Sequence, residues 1–360
     1  MRPLTSQARC RVSLRPLVAG HLAFIRLALG LWLCTVGLLL AAQTAPTPAV
    51  APATVTEHSV NEWLMRVHEA SRRRAYVGTF VVSTGAHMSS ARIWHICDGT
   101  QQMERVESLT GAPRSTFRRN DQVVTFLPER RLVVAEKRET LGLFPNLLQA
   151  RHSSIAQFYR ARAIGRERVA GLEADVVHLR PQDSWRFGYR VWTEKKTGLV
   201  VKLQTLDSEG QVLEQAAFSE LQLDAPVSMA KLSEMMDRTQ GYQVEKPDLV
   251  ETTALTEGWV LTNAVQGFAP VSCYKRLVGT TAAADARHGN TLQWIFSDGL
   301  ASISLFLEAF DPRRHAQPGS LALGATHTLT RRIGDWWLTA VGEVPAPTLA
   351  AFAQGLERKK

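Results

Sequence analysis

One pattern governs the chain from Tyr76 to Leu223: short runs in which apolar and polar residues alternate, each closed by a turn signal. Alternation sends successive side chains to opposite faces of a strand, so this chain is constrained to build a sheet with one dry face. Tyr76, Gly78, Phe80 and Val82 alternate with Val77, Thr79 and Val81. Arg92–Cys97 reads as a strand, and Asp98-Gly99 makes a hairpin turn into Gln101–Leu109. Further strands are predicted over Arg114–Arg119, Val123–Leu127, Leu132–Glu136, Ala161–Val169, Ala174–Arg180, Phe187–Thr193, Leu199–Leu206 and Val212–Leu223. Phe187, Tyr189 and Val191 share one face, while Arg190 and Glu194 share the other. About ten such strands predict a strongly curved antiparallel sheet, or partial barrel, wrapped around helices.

The flanks supply the helices. Glu57–Ser71 is amphipathic, with Val60, Leu64 and Val67 at helical spacing and Trp63 beside them. Arg72-Arg73-Arg74 closes it, where cations suit the helix dipole. A short helix is predicted at Ser154–Tyr159 and a weaker one at Ala230–Thr239. Residues 225–250, polar toward their end and carrying Pro247, read as an interdomain linker. A smaller unit follows over 251–360. Its strands are predicted at Trp259–Leu261, Cys273–Leu277, Leu292–Ser297, Ala301–Ala309, Thr326–Arg332 and Trp336–Val341, with a closing helix at Thr348–Leu356. The expected class is therefore α+β: an antiparallel sheet domain over 57–224 and a smaller α+β domain.

Residues 1–45 read as a secretory signal peptide. They hold Arg2, Arg9, Arg11, Arg15 and Arg26, no acid, and the apolar run Leu27–Leu40 before small residues at Ala41, Ala42 and Ala45. That run is shorter than the about 20 residues of a membrane span. Residues 46–56 are a linker rich in Ala, Pro and Thr. Export to the periplasm is the expectation. Taking the five arginines from the net charge of +9 leaves +4, too small an excess to argue for nucleic acid. Cys97 and Cys273 fall in different predicted domains, so they read as separate thiols.

Catalytic chemistry is sparse. No Gly-x-Ser-x-Gly elbow, phosphate-binding loop or His-Glu-x-x-His motif occurs, and neither a metal nor a cofactor is called for. Ser228-Met-Ala-Lys231 and Ser272-Cys-Tyr-Lys275 match Ser-x-x-Lys, but Lys196-Thr197-Gly198 precedes both, the reverse of the order in penicillin-binding enzymes. The candidate binding residues are basic and aromatic. Arg114, Arg118 and Arg119 cluster near one strand. Arg160, Arg162, Arg166 and Arg168 are expected to form a row on one side of another. Guanidinium groups there suit carboxylate or phosphate. Trp63, Trp94, Trp185 and Trp192 either line an apolar cavity or pack as ordinary core.

An ordered series of segments resembles a known family. It comprises Gly165-Arg-Glu-Arg-Val-Ala-Gly171, Ala174-Asp-Val-Val-His-Leu179, Tyr189-Arg-Val-Trp-Thr193, Thr197-Gly-Leu199 and Asp207-Ser-Glu-Gly-Gln-Val-Leu-Glu214. Gly258-Trp259, Gln266-Gly267-Phe268, Ser297-Asp298-Gly299-Leu300 and Val341-Gly-Glu-Val-Pro345 continue it. The series is similar to the RseB/MucB regulators of sigma-E. The resemblance implies an N-terminal domain shaped like the lipoprotein carrier LolA, an unclosed β-barrel with helices across its mouth, and a smaller C-terminal domain. It implies a periplasmic, non-enzymatic partner of a transmembrane anti-sigma factor (RseA or MucA). Its binding would shield the anti-sigma factor from site-1 proteolysis, and lipopolysaccharide or lipoprotein acyl chains would release it. A homo-oligomer stays open. The first half alone is also similar to LolA-type carriers, so a periplasmic lipid or lipoprotein carrier is the alternative.

Overall fold

The computed structural model describes residues 57–137, 144–145, 155–277, 290–315 and 317–359. The expected signal peptide and the linker at 46–56 lie outside them.

Helix α1 (Glu57–Arg73) leads into a long meander. Its first half is β1 (Tyr76–Thr84), β2 (His87–Cys97), β3 (Gln102–Ser108), β4 (Ser115–Arg119), β5 (Gln122–Leu127) and β6 (Leu132–Lys137). The one-turn helix α2 (Ile155–Phe158) opens the second half: β7 (Tyr159–Val169), β8 (Leu172–Pro181), β9 (Gly188–Glu194), β10 (Val200–Leu206) and β11 (Val212–Leu223). The halves join where β11 pairs with β1, antiparallel from Tyr76↔Leu223 to Thr84↔Glu214. After α3 (Met229–Asp237), β12 (Gln243–Glu245) adds in parallel to β6. The sheet is thus twelve strands in the order β12-β6-β5-β4-β3-β2-β1-β11-β10-β9-β8-β7, and its end strands do not pair with each other. Strand β7 nevertheless touches β11, four places away, so the sheet curls at that end.

Both faces are covered in part. Leu64, Val67 and Ala70 fall one turn apart on α1 and bury against Tyr76, Phe80, Ile93, Tyr189, Val191 and Phe218. On the opposite face of β3–β6, Met103, Phe117, Phe126 and Val133 pack against Leu232 and Met236 of α3. Full burial of two such side chains favours docking by about 1.5–3 kcal/mol each. The stretch read as a linker, 225–250, therefore carries structure of its own: α3 packs on the first sheet and β12 extends it.

Three residues on, β13 (Asp248–Glu251) starts the second sheet. It comprises β15 (Ala269–Leu277), β16 (Thr291–Ser297), β17 (Ser302–Ala309), β18 (Gly319–Leu323), β19 (Thr326–Ile333) and β20 (Trp336–Gly342), in the order β13-β15-β16-β17-β20-β19-β18. A separate pair joins β14 (Trp259–Leu261) to β21 (Leu356–Arg358). Helix α4 (Ala346–Gly355) buries Leu349, Phe352 and Ala353 against Phe296, Leu305 and Leu338. This is an α+β arrangement, with a core on each face of the first sheet and a third built on the seven-stranded sheet.

Candidate functional site

The basic and aromatic candidates disperse. Arg114 is exposed in the turn before β4. Arg118 and Arg119 are neighbours on one strand and so point to opposite faces. Arg118 is 3% exposed; its Nε donates to Glu104 Oε2 at 2.8 Å and its guanidinium to the Asn120 carbonyl at 2.8 Å. Arg119 reaches the other way, to Ser233 Oγ on α3 at 2.9 Å. Trp63 packs against the first core, and Trp192, 2% exposed, lies inside it with its indole N–H donating to Glu167 Oε2 at 2.8 Å. Trp94 belongs to the α3 face, with Arg105 4.7 Å from its ring. Trp185 is largely at the surface. Trp63 and Trp192 thus share the first core, while Trp94 and Trp185 lie apart from it.

The expected single row of β7 arginines is also split. Pairing of β7 with β8 shifts register between Ala163 and Gly165. A bulge inserts one extra residue, so side chains beyond it change faces. Arg162 stands opposite His178 and Arg160 opposite Arg180, whereas Arg166 stands opposite Asp175 and Arg168 opposite Glu173. Arg166 Nε pairs with Asp175 Oδ1 at 2.9 Å, which leaves Arg160 and Arg162 with a different set of neighbours. The serine motifs are accounted for as well: the Ser228 side chain caps α3 by accepting from the Lys231 N–H at 3.2 Å, and Ser272 lies in β15.

The chemistry concentrates where the two domains meet. Arg186, in the β8–β9 loop, has a fully buried side chain. Its Nε donates to Asp298 Oδ2 at 2.7 Å, and Asp298 belongs to the β16–β17 hairpin of the second sheet. The same guanidinium pairs with Asp183 and donates to the Gln266 carbonyl at 2.6 Å. Phe158 and Phe268 sandwich it, with ring centroids at 4.1 Å and 4.8 Å. Asp298 is itself saturated. Its Oδ2 also accepts from the Tyr159 hydroxyl at 3.1 Å, and its Oδ1 from the N–H groups of Leu300 and Ala301 at 2.9 Å and 2.8 Å. A buried charge is tolerable only when paired and hydrogen-bonded in this way. Burial pushes the Tyr159 and Tyr189 hydroxyls well above the usual tyrosine range, so both stay neutral, and Tyr159 is the one that donates to Asp298.

The surrounding backbone is shaped to this cation. Gly267 has φ +88°, and a Cβ there would run into the Arg186 guanidinium and the Phe158 ring. Leu300, from the second sheet, inserts among the buried residues of the first core. Thr348 Oγ1 of α4 donates to the Trp185 carbonyl at 2.8 Å. A second contact places Gly324, in the β18–β19 turn, so close to Thr84 that a side chain there would collide. Two segments that carry the family resemblance, Gln266-Gly267-Phe268 and Ser297-Asp298-Gly299-Leu300, converge on this joint. Sequence reading missed Arg186 because a lone loop arginine has no periodicity. The clue available was that those two C-terminal segments had no cation of their own.

Comparison with known proteins follows the same two-part division. The model for the MucB/RseB N-terminal domain matches residues 59–236, and that for the MucB/RseB C-terminal domain matches 253–357. The chain is 28% identical over 323 residues to the sigma factor AlgU regulatory protein MucB of Pseudomonas aeruginosa, covering 88% of this chain and 95% of that protein. It is 23% identical over 333 residues to the sigma-E factor regulatory protein RseB of Escherichia coli K12, covering 90% and 96%. Among solved structures, MucB in complex with MucA(peri) is 26% identical and covers 83% of this chain and 98% of that one, with a TM-score of 0.61. The Pseudomonas aeruginosa MucA/MucB complex is 25% identical and covers 83% and 99%, with a TM-score of 0.63. With both domain models matched in order across the two sheets, this chain belongs to the MucB/RseB family.

Proposed function

We propose that the protein is a non-enzymatic periplasmic regulator of a sigma-E-type stress response, acting by binding the periplasmic part of a membrane anti-sigma factor. The observation that carries this reading is the match of both domain models, together with solved complexes in which a relative 25–26% identical holds a MucA partner. Binding would shield the anti-sigma factor from site-1 proteolysis, and lipopolysaccharide or lipoprotein would release it. Residues 1–45 would direct export. The chemistry of the joint supports a binding role: the groups around Arg186 and Asp298 tie the two domains together. A lipid carrier needs a cavity but no second domain locked to it.

Titration calorimetry between the exported chain and the periplasmic segment of the anti-sigma factor from the same genome tests this. Saturable binding that lipopolysaccharide weakens is the expected result. No binding, alongside direct uptake of an acylated ligand, would move the assignment to the carrier.

A further inference from the structure

Near its β7 edge, the first sheet carries a row of facing basic side chains. Arg162 on β7 stands directly opposite His178 on β8, and His178 directly opposite Arg190 on β9. Beside them Arg160 faces Arg180. All five lie on the face opposite to the one presenting Tyr189 and Val191. Among the described residues, Arg160 and Arg190 bond only to the neutral amides of Gln182 and Gln204, at 3.2 Å and 3.1 Å. Ion pairs formed by the other β7 and β8 residues, such as Arg166–Asp175, lie on the opposite face. The Nε of Arg190 is buried with no partner among the described residues. Burial, reinforced by Arg190, Arg180 and Arg162, holds His178 below the usual histidine range, so the row's positive potential is felt locally.

Like charges directly opposite one another destabilise a sheet. Protection of an edge strand is the ordinary use of such charges, but it requires them on the edge strand alone. Here the cations continue inward, one strand to Arg180 and two to Arg190, where protection serves nothing. At the same time β7 ends the sheet, pairing only with β8 among the described residues, and every residue from Arg162 to Arg168 is exposed. The row therefore ends at an open edge, in the position where one more strand would complete it.

We propose that β7 and its cation row form a docking edge for an extended acidic polypeptide segment with carboxylates at alternate positions. A strand laid along β7 would bring alternate side chains about 6.6 Å apart, the spacing of Arg160 and Arg162 along their own strand. Its carboxylates would then stand opposite those guanidiniums as cross-strand ion pairs, while its backbone bonds to the free edge. The surface is separate from the Arg186 joint, so its failure would leave the anti-sigma assignment standing.

The test uses the full-length protein and an acetylated, amidated peptide of four Glu-Thr repeats, with a peptide of four Glu followed by four Thr as comparison. R160Q/R162Q/R180Q should weaken binding of the alternating peptide roughly tenfold. The charge-matched control R114Q/R130Q/K231Q should weaken it less than about twofold, and the block peptide should bind more weakly than the alternating one. The ladder variant should unfold at a temperature no lower than the wild type, since it removes facing cations. Equal losses in the two variants, or equal binding of the two peptides, would reduce the effect to net charge and overturn the proposal. So would a lowered unfolding temperature, which makes the arginines structural, or ladder-dependent binding to phosphatidylglycerol vesicles without binding of peptide.

Discussion

Two rows of side chains cross the first sheet with a histidine in each, and they have opposite fates. On β2, β3 and β4, His95, Glu104 and Arg118 stand directly opposite one another. On β7, β8 and β9 the corresponding row is Arg162, His178 and Arg190. The first row contains a carboxylate and is buried: His95 is 0% exposed, Glu104 1% and Arg118 3%. The second contains only bases and stays half-buried to exposed. One glutamate on the middle strand is the difference. It lets a guanidinium leave water, because a buried cation is tolerated only where a counter-charge and hydrogen bonds replace hydration. His95 completes the first row as a neutral ring. Its Nδ1 lies 2.6 Å from the Arg74 carbonyl and donates to it, so Nε2, 2.8 Å from Gln102 Nε2, accepts.

The comparison can be broken most severely by removing that glutamate. Glu104→Ala strands Arg118 in the core and should cost about 3–5 kcal/mol, read by denaturant unfolding. Arg186→Ala removes the other buried guanidinium, the one that joins domains, and should cost about 3 kcal/mol. Its signature differs. Tryptophan fluorescence and circular dichroism should no longer give coincident transitions, because the domains then unfold separately. Supplying the missing acid should sharpen the contrast. His178→Glu places a carboxylate between Arg162 and Arg190 and should stabilise by about 0.5–1 kcal/mol at low salt. Thermal unfolding at about 1 M salt should erase that gain, since exposed pairs are screened there.

The smallest expected effect is in pH. Burial, the largest cause, lowers the His95 pKa; burial and then the three arginines lower that of His178. The unfolded chain therefore takes up protons that the folded chain refuses. Stability should be insensitive to these groups above about pH 6.5 and fall as pH drops below it. His95→Gln and His178→Gln should each remove part of that loss. Salt should shrink only the share removed by His178→Gln, whose arginine contribution is screened.

Legibility in the sequence followed locality. Val212–Leu223 and Trp259–Leu261 were readable to the residue because alternation and turn signals bound them on both sides. The strand Gly319–Leu323 was not: all five residues are exposed, so no burial alternation was written into it. Gln243–Glu245 was missed for a related reason, since its sheet partner among the described residues, β6, lies more than a hundred residues away. At the site, strict alternation already separates Arg118 from Arg119. The bulge after Ala163 was invisible, because a strand slips register in response to its partner rather than to its own residues. The Arg186–Asp298 bond, spanning 112 residues, joins two loops with no signal but their polarity.

Only Lys246 and Pro247 separate the end of β12, held in the first sheet, from the start of β13, held in the second. A trans chain extends at most about 3.3–3.6 Å per residue, so the two sheets hang on a cord of roughly 10 Å. With β12 paired, breaking the Arg186 joint would permit a swivel but not a separation. Should β12 peel from β6, the free cord would run from Arg238 to Pro247 and its reach would rise to roughly 35 Å. A three-residue strand thus sets the leash length of a whole domain, and with it the size of any object the two domains can close upon.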